Sequence, residues 1–292
     1  MNLIRRLYEM PPKEAVRKLG RKLRRSRHDR PQLADILASP KALRSQRPYD
    51  FLSRYETIIG RHHDWPNIDF SDRSVIEIGC GPMLGWAPLA VFLGCRRYTC
   101  VEPYIDLEVL RAPQLVEGYF LGLHRDLTAL YGPHQPFEAF LADLFARVEV
   151  VDRELLAADI TGPYDVMLSN SCLEHIFPLE PSLARLKELA ANDCRFIHLV
   201  DFGNHRSRRE PFAGLYEVEP EAYLATHGRG INLLRGVDVL RCFRDQGFAA
   251  TLVPYYSAEE FYQGEVAEYW SDRYQPAELF LKVALIAGPL ED

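Results

Sequence analysis

The sequence predicts an α/β fold, a mostly parallel sheet covered by helices on both faces. Three observations lead there. From Arg73 onward, short apolar runs of strand length alternate with longer segments whose apolar residues recur at helical spacing. Alternation of that kind is how crossover connections between parallel strands read in sequence. The first run opens into a glycine-rich turn, VIEIGCGPMLG, which sets Gly79, Gly81 and Gly85 after Glu77. The last two runs are joined by an irregular segment, 255–277, without a clear crossover helix.

Taken in order, strands are expected at 74–79, 97–102, 148–152, 164–169, 194–201, 247–254 and 278–287. Helices are expected at 84–94, 105–117, 120–131, 136–147, 179–191 and 236–246. Residues 73–292 therefore make the main domain. Before it, 31–72 reads as a helical lead-in punctuated by Pro31, Pro40, Pro48 and Pro66. Residues 1–30 read as a separate arm of two short helices broken at Pro11-Pro12. Leu3, Ile4, Leu7 and Tyr8, then Ala15, Val16, Leu19 and Leu23, fall on its apolar stripes. Two stretches, 104–147 and 202–235, are longer than such a domain needs. Both leave the C-terminal edge of the sheet, where open α/β sheets hold ligands, so both are expected to bind substrate.

Composition narrows the function. The chain of 292 residues is 47% hydrophobic, enough for a real core. It contains no apolar run long enough to cross a membrane, and its basic N-terminus lacks the apolar core of a secretory signal. Cys80, Cys95, Cys100, Cys172, Cys194 and Cys242 are scattered, with no Cys-x-x-Cys pair. That pattern suits reduced thiols in a cytoplasmic enzyme. The net charge of −6 is unevenly spread: residues 1–30 hold eleven basic and three acidic residues, the remainder 24 basic and 38 acidic. An acidic body argues against nucleic acid as the substrate. The basic arm has three readings: a solvated helix packed on the body, a helix lying peripherally on anionic lipid, or a contact for an acidic partner chain.

A dinucleotide fingerprint, G-x-G-x-x-G, would need its last glycine at position 84, which is Leu84. The observed E-x-G-x-G-x-x-x-G resembles the first motif of class I S-adenosylmethionine-dependent methyltransferases. The resemblance implies a Rossmann-like sheet of seven strands with the last antiparallel, and S-adenosylmethionine as cofactor, approached by Glu77, Gly79 and Gly81. Glu102 ends the second strand in YTCVEP, 21 residues beyond Gly81, where a carboxylate accepts hydrogen bonds from ribose hydroxyls. By the same resemblance Asp152 in VEVVD, or else Asp159, meets the adenine. The stretch YDVMLSNSCLEHI resembles the family's fourth-strand motif, with Ser169 and Asn170 at the cofactor and His175 toward the active site.

Methyl transfer to a hydroxyl requires alignment and removal of a proton. His198, Asp201 and His205 in HLVDFGNH, with His175, are the candidate catalytic residues. They suit a base with an orienting carboxylate, or, through His198, Asp201 and His205, a divalent metal site. The plainer readings are a core histidine at His198 and a solvated one at His205. This stretch resembles methyltransferases of glycan and cell-surface polysaccharide biosynthesis, whose pattern is H-x-x-D-x-x-D-H followed by N-R-L-R. Here Asn204 replaces the second Asp and Leu233 the first Arg, while Asn232 and Arg235 are kept as candidate substrate ligands. Some methyltransferases place E-x-x-E-H at the fourth-strand motif as metal ligands; here Ser171 stands first, followed by Glu174 and His175, and the missing carboxylate argues against that metal site. Tyr255, Tyr256, Tyr262, Tyr269 and Trp270 are either a sugar platform or packing beneath the last strand. The expected activity is O-methylation of a sugar or glycan intermediate. The alternatives are methylation of a small natural-product hydroxyl or amine, or a non-catalytic partner of the same fold.

Overall fold

The structure is a computed structural model that describes residues 31–40, 42–44, 47–103, 105–206 and 209–288. The basic arm expected over residues 1–30 lies outside them. Seven strands form one sheet: β1 (Ser74–Ile78), β2 (Arg97–Val101), β3 (Val148–Val151), β4 (Tyr164–Asn170), β5 (Ala190–Asp201), β6 (Thr251–Ser257) and β7 (Leu281–Gly288). Their order is β3-β2-β1-β4-β5-β7-β6. β1 to β5 pair in parallel. β7 runs antiparallel to both β5 and β6. This is the seven-stranded sheet, with one reversed strand, of the class I methyltransferase fold. The absence of a crossover helix across 258–280 is what permits the reversal, since antiparallel neighbours need no return to the starting edge.

β1 is buried at all five positions, as befits a central strand covered on both faces. Its alternate residues serve two different cores. Val75 points into a layer with Tyr98, Leu89, Phe92, Leu127 and Phe140. Ile76 joins Met167, Leu183, Leu186, Val239 and Phe243 on the opposite face. The longer helices are α1 (Arg47–Ile59), α2 (Ala87–Phe92), α3 (Leu121–Tyr131), α4 (Phe137–Arg147), α5 (Leu179–Leu189), α6 (Pro220–His227) and α7 (Gly236–Asp245), and all but α6 bury these faces. The chain runs outward from β1 to β3 and then returns to β4 on β1's other side. That reversal opens a crevice beyond the C-terminal ends of β1 and β4.

Several boundaries differ from the periodicity, each for a local reason. α2 starts at Ala87 rather than at 84, because Leu84 and Gly85 have positive φ (64° and 50°) and cannot belong to a right-handed helix. β6 starts at Thr251 rather than 247, because Gly247 at φ 79° turns the chain out of α7. The long excursion 104–147 is largely a structural layer. Phe120, Leu123, Leu127, Phe140 and Leu144 are fully buried. The stretch 202–235 folds with 258–280 into a satellite core around Phe212, Tyr216, Leu233, Trp270 and Phe280. Trp270 is therefore packing, not a sugar platform. Among the described residues, no helix is long and apolar enough to cross a membrane.

Candidate active site

The turn after β1 is built on Glu77. Its carboxylate accepts the Tyr98 hydroxyl at 2.5 Å and the Trp86 backbone N–H at 3.0 Å. Burial raises its pKa to about 7 against the pull of those two donors. Gly79, Gly81 and Gly85 all have positive φ, and two of them have no room for a side chain. A Cβ on Gly85 would land on the Glu77 oxygens, and one on Gly79 would sit 2.6 Å from Cys172 Sγ. Gly81 differs: a Cβ there would meet nothing within 4 Å. Glu77 thus fastens the turn from beneath, while Gly81 leaves it open to the crevice.

Two cavities meet at this turn, both touched by Gly79 and Ser171. One, of about 410 Å³, is lined by Gly81, Trp86, Asn170, Tyr119 and, from the lead-in, Pro48 and Phe51. The other, of about 540 Å³, is lined by Glu102, Leu155, Leu156, Cys172, His175 and Phe177. Glu102 accepts the Gly81 N–H at 3.0 Å, so the acid after β2 and the glycine turn are in contact. Asn170 Oδ1 accepts the Tyr55 hydroxyl of α1 at 2.7 Å, which ties the lead-in to the mouth of β4. Asp152, the expected adenine ligand, and its rival Asp159 are exposed and line neither cavity. Leu155 and Leu156 stand at that wall instead.

Of the expected catalytic residues, three come together and one does not. His198 is wholly buried beside Phe196 and Phe243, with Nδ1 2.8 Å from the Ser169 hydroxyl. Burial lowers its pKa to about 3, so it is a neutral core histidine. Ser169, expected at the cofactor, is that histidine's partner and equally buried. At the end of β5, Asp201 holds the Lys282 ammonium at 2.7 Å and the Gly203 N–H at 2.9 Å. Burial pushes the Asp201 carboxyl up, but His205 and Lys282 outweigh it and bring it to about 2. His205, itself at φ 55°, stands with Nε2 3.6 Å from Asp201 Oδ2 and 3.8 Å from Glu174 Oε1. The Asp201 carboxylate beside it raises its pKa. His175 lies with its ring centroid 5.0 Å from that of His205. Its Nδ1–H donates to the Gly230 carbonyl at 2.6 Å, which leaves the lone pair on Nε2. Burial lowers its pKa, so the ring is neutral at pH 7.

The two expected substrate ligands are structural. Asn232 donates through Nδ2 to the Leu173 carbonyl, and its backbone N–H donates to that of Glu174. It clamps the short turn Leu173–His175. Arg235 is about 1% exposed and donates to the Phe202 carbonyl and the Tyr216 hydroxyl, amid the Phe202, Tyr216 and Trp270 rings.

Sequence reasoning placed Glu174 in the E-x-x-E-H pattern but not among the candidate site residues; it is about 2% exposed with neither carboxylate oxygen hydrogen-bonded among the described residues. That reasoning missed Tyr55 and Phe51. Only Glu174 carried a signal, as the neighbour of His175 in LEHI; that it lacks a partner is a tertiary fact.

No protein-family model and no curated protein matches this chain. Solved structures do. A candidate S-adenosylmethionine-dependent methyltransferase of Listeria monocytogenes is 14% identical over 84% of this chain and 98% of that one, at a TM-score of 0.43. An O-methyltransferase family protein of Burkholderia thailandensis is 14% identical over 95% and 68%, at 0.40. An S-adenosylmethionine-dependent methyltransferase of Mesorhizobium loti is 10% identical over 80% and 95%, at 0.42. At such identities the chemistry has to come from this chain's own residues.

Proposed function

We propose that this chain is an S-adenosylmethionine-dependent O-methyltransferase whose acceptor is a hydroxyl of a sugar or glycan intermediate. The observation that carries the cofactor reading is the contact between Glu102 and Gly81 across two joined cavities. It sets a strand-end carboxylate beside a side-chain-free turn, the pairing a nucleoside joined to an amino acid requires. The fit is supported by the open space above Gly81 and by the apolar wall of Leu155 and Leu156. Glu102 would take the ribose, the Gly79–Gly81 turn the amino-acid part, and Asn170 with Ser171 the rim. The cofactor supplies an electrophilic methyl group on a positively charged sulfur.

The acceptor reading rests on the polar cluster beside the second cavity. Glu174, His175, Asp201 and His205 converge there, and a hydroxyl acceptor has a proton to lose, whereas a neutral amine needs no base. Asp201 holds His205, Gly230 holds His175, and Asn232 holds the turn that carries Glu174 and His175. A sugar is favoured by the resemblance around residues 198–205. Arg235 and Asn232 add nothing to it, since both are engaged within the fold.

Titration calorimetry with S-adenosylmethionine tests the cofactor. The wild type is expected to bind, and Glu102→Ala to bind about 2 kcal/mol more weakly through loss of charge-assisted hydrogen bonds. Tight binding of NAD with none of S-adenosylmethionine would overturn the reading.

A further inference from the structure

The structure assigns a divalent transition-metal site to Glu174, His175 and His205. One donor atom from each lies within 4.8 Å of the other two. A tetrahedral ion with bonds of about 2.0–2.1 Å holds its ligands roughly 3.3 Å apart, so closure of the cluster by small side-chain rotations suffices. The second observation is Glu174 itself. A carboxylate about 2% exposed, with both oxygens lacking a hydrogen-bond partner among the described residues, is costly to bury. Such groups occur where a cation completes them.

Charge and orientation agree. The negative charge of Asp201 is matched by Lys282, whereas Glu174 has no lysine or arginine beside it, only the His205 ring at 3.8 Å. His175 gives its Nδ1–H to a backbone carbonyl, the arrangement that fixes a ligating imidazole and leaves Nε2 for the ion. His205 turns Nε2 toward both carboxylates, 3.8 Å from Glu174 Oε1 and 3.6 Å from Asp201 Oδ2. Glu174 and His175 are adjacent on a turn clamped by Asn232, and His205 comes from the loop after β5. The site therefore draws on two segments that only the folded sheet brings together. His198 and Asp201, the other members of the set suggested by the sequence, drop out. The first is sealed in the core with Ser169, and the second is paired with Lys282.

Two imidazoles and one carboxylate select a borderline ion such as Zn²⁺ or Co²⁺ over Mg²⁺ or Ca²⁺, which prefer all-oxygen sites. Three protein ligands leave a position open, as in catalytic rather than structural sites. An ion there acts as a Lewis acid on an oxygen ligand. That role rests on the methyltransferase reading; the binding itself does not.

The test is titration of the chelator-treated full chain with Co²⁺, followed by visible absorption and calorimetry, in the absence of any nucleoside. One equivalent is expected to bind, with a spectrum of low-symmetry coordination, and Zn²⁺ is expected to displace it. Glu174→Gln, His175→Ala and His205→Ala should each weaken Co²⁺ binding at least tenfold. His62→Ala and His227→Ala, on the surface, should leave it unchanged. Circular dichroism of the same variants reports that they are folded, and binding of S-adenosylhomocysteine by the wild type tests the cofactor reading separately. No saturable Co²⁺ binding, binding unaltered by Glu174→Gln and His205→Ala together, or preference for Mg²⁺ would overturn the site.

Discussion

Glu77 and Glu174 are both buried glutamates, each about 2% exposed, at the C-terminal ends of the neighbouring strands β1 and β4. Burial raises the pKa of each to about 7. They differ in their partners. Glu77 accepts a hydroxyl and a backbone N–H, and the turn above it would collide with any side chain at Gly85. Glu174 has no hydrogen-bond partner among the described residues and faces two imidazoles. A buried carboxylate whose donors are in place stabilises the fold. One whose donors are missing is held there by its surroundings at a cost, and is available to something else.

Replacement of each by leucine, which is close in volume, gives the largest contrast. Glu77→Leu strands the Tyr98 hydroxyl and the Trp86 N–H and should lower stability by about 4 kcal/mol, at roughly 2 kcal/mol for each buried donor. Glu174→Leu removes an uncompensated charge and should be neutral or stabilising in metal-free protein. Urea unfolding measures both. Equal losses would break the comparison.

The neutral Ser169–His198 pair joins β4 to β5, the strands that lead to Glu174 and to His205, and acid tests it. Folded His198 titrates near 3, well below the ordinary 6.5. The unfolded chain therefore takes up a proton that the folded chain refuses. The stabilisation is complete above pH 6.5 and is lost as pH falls from there toward 3, at about 1.4 kcal/mol per pH unit. About 3 kcal/mol should be gone by pH 4.5. His198→Asn keeps a partner for Ser169 but cannot titrate, so its stability should fall less steeply over this range. An unchanged acid limb would mean that His198 is not the group responsible.

The smallest effect separates the two turns dynamically. Asn232→Ala removes a hydrogen bond to Leu173 and one from Leu234, and should cost about 1–2 kcal/mol. Amide exchange should then accelerate at 173–176 and stay slow at 79–86. Loosening of both turns together would show that they form one cooperative unit.

Much of the fold was legible because both sheet faces are buried. β1, β4 and β5 stand out as apolar runs, and the glycines announce the turn. Glu102 was legible because an acid at a strand end has few structural uses. The same double burial hid the orientation of His198. In a strand covered on both sides, period two does not say which face carries the site, and Ser169 and His198 both turned inward. Asn232 and Arg235 misled for a different reason. Polar residues between a loop and a helix read as ligands, yet here they clamp a turn and fill a satellite core that exists only once 202–235 meets 258–280. Glu174 needed a census of donors, which no spacing contains.

β6 touches the sheet only through β7, which follows it in the chain. During synthesis, β6 is therefore made before it has anything to pair with, and it waits as a solitary strand until residues 281–288 arrive. The same late strand brings Lys282 to Asp201. The parallel half of the sheet, with its glycine turn and Glu102, has no such dependence. A nascent chain can thus assemble the glycine turn and its contact with Glu102 while Asp201 still lacks its lysine, and translation itself sets the order in which the two sides of the crevice mature.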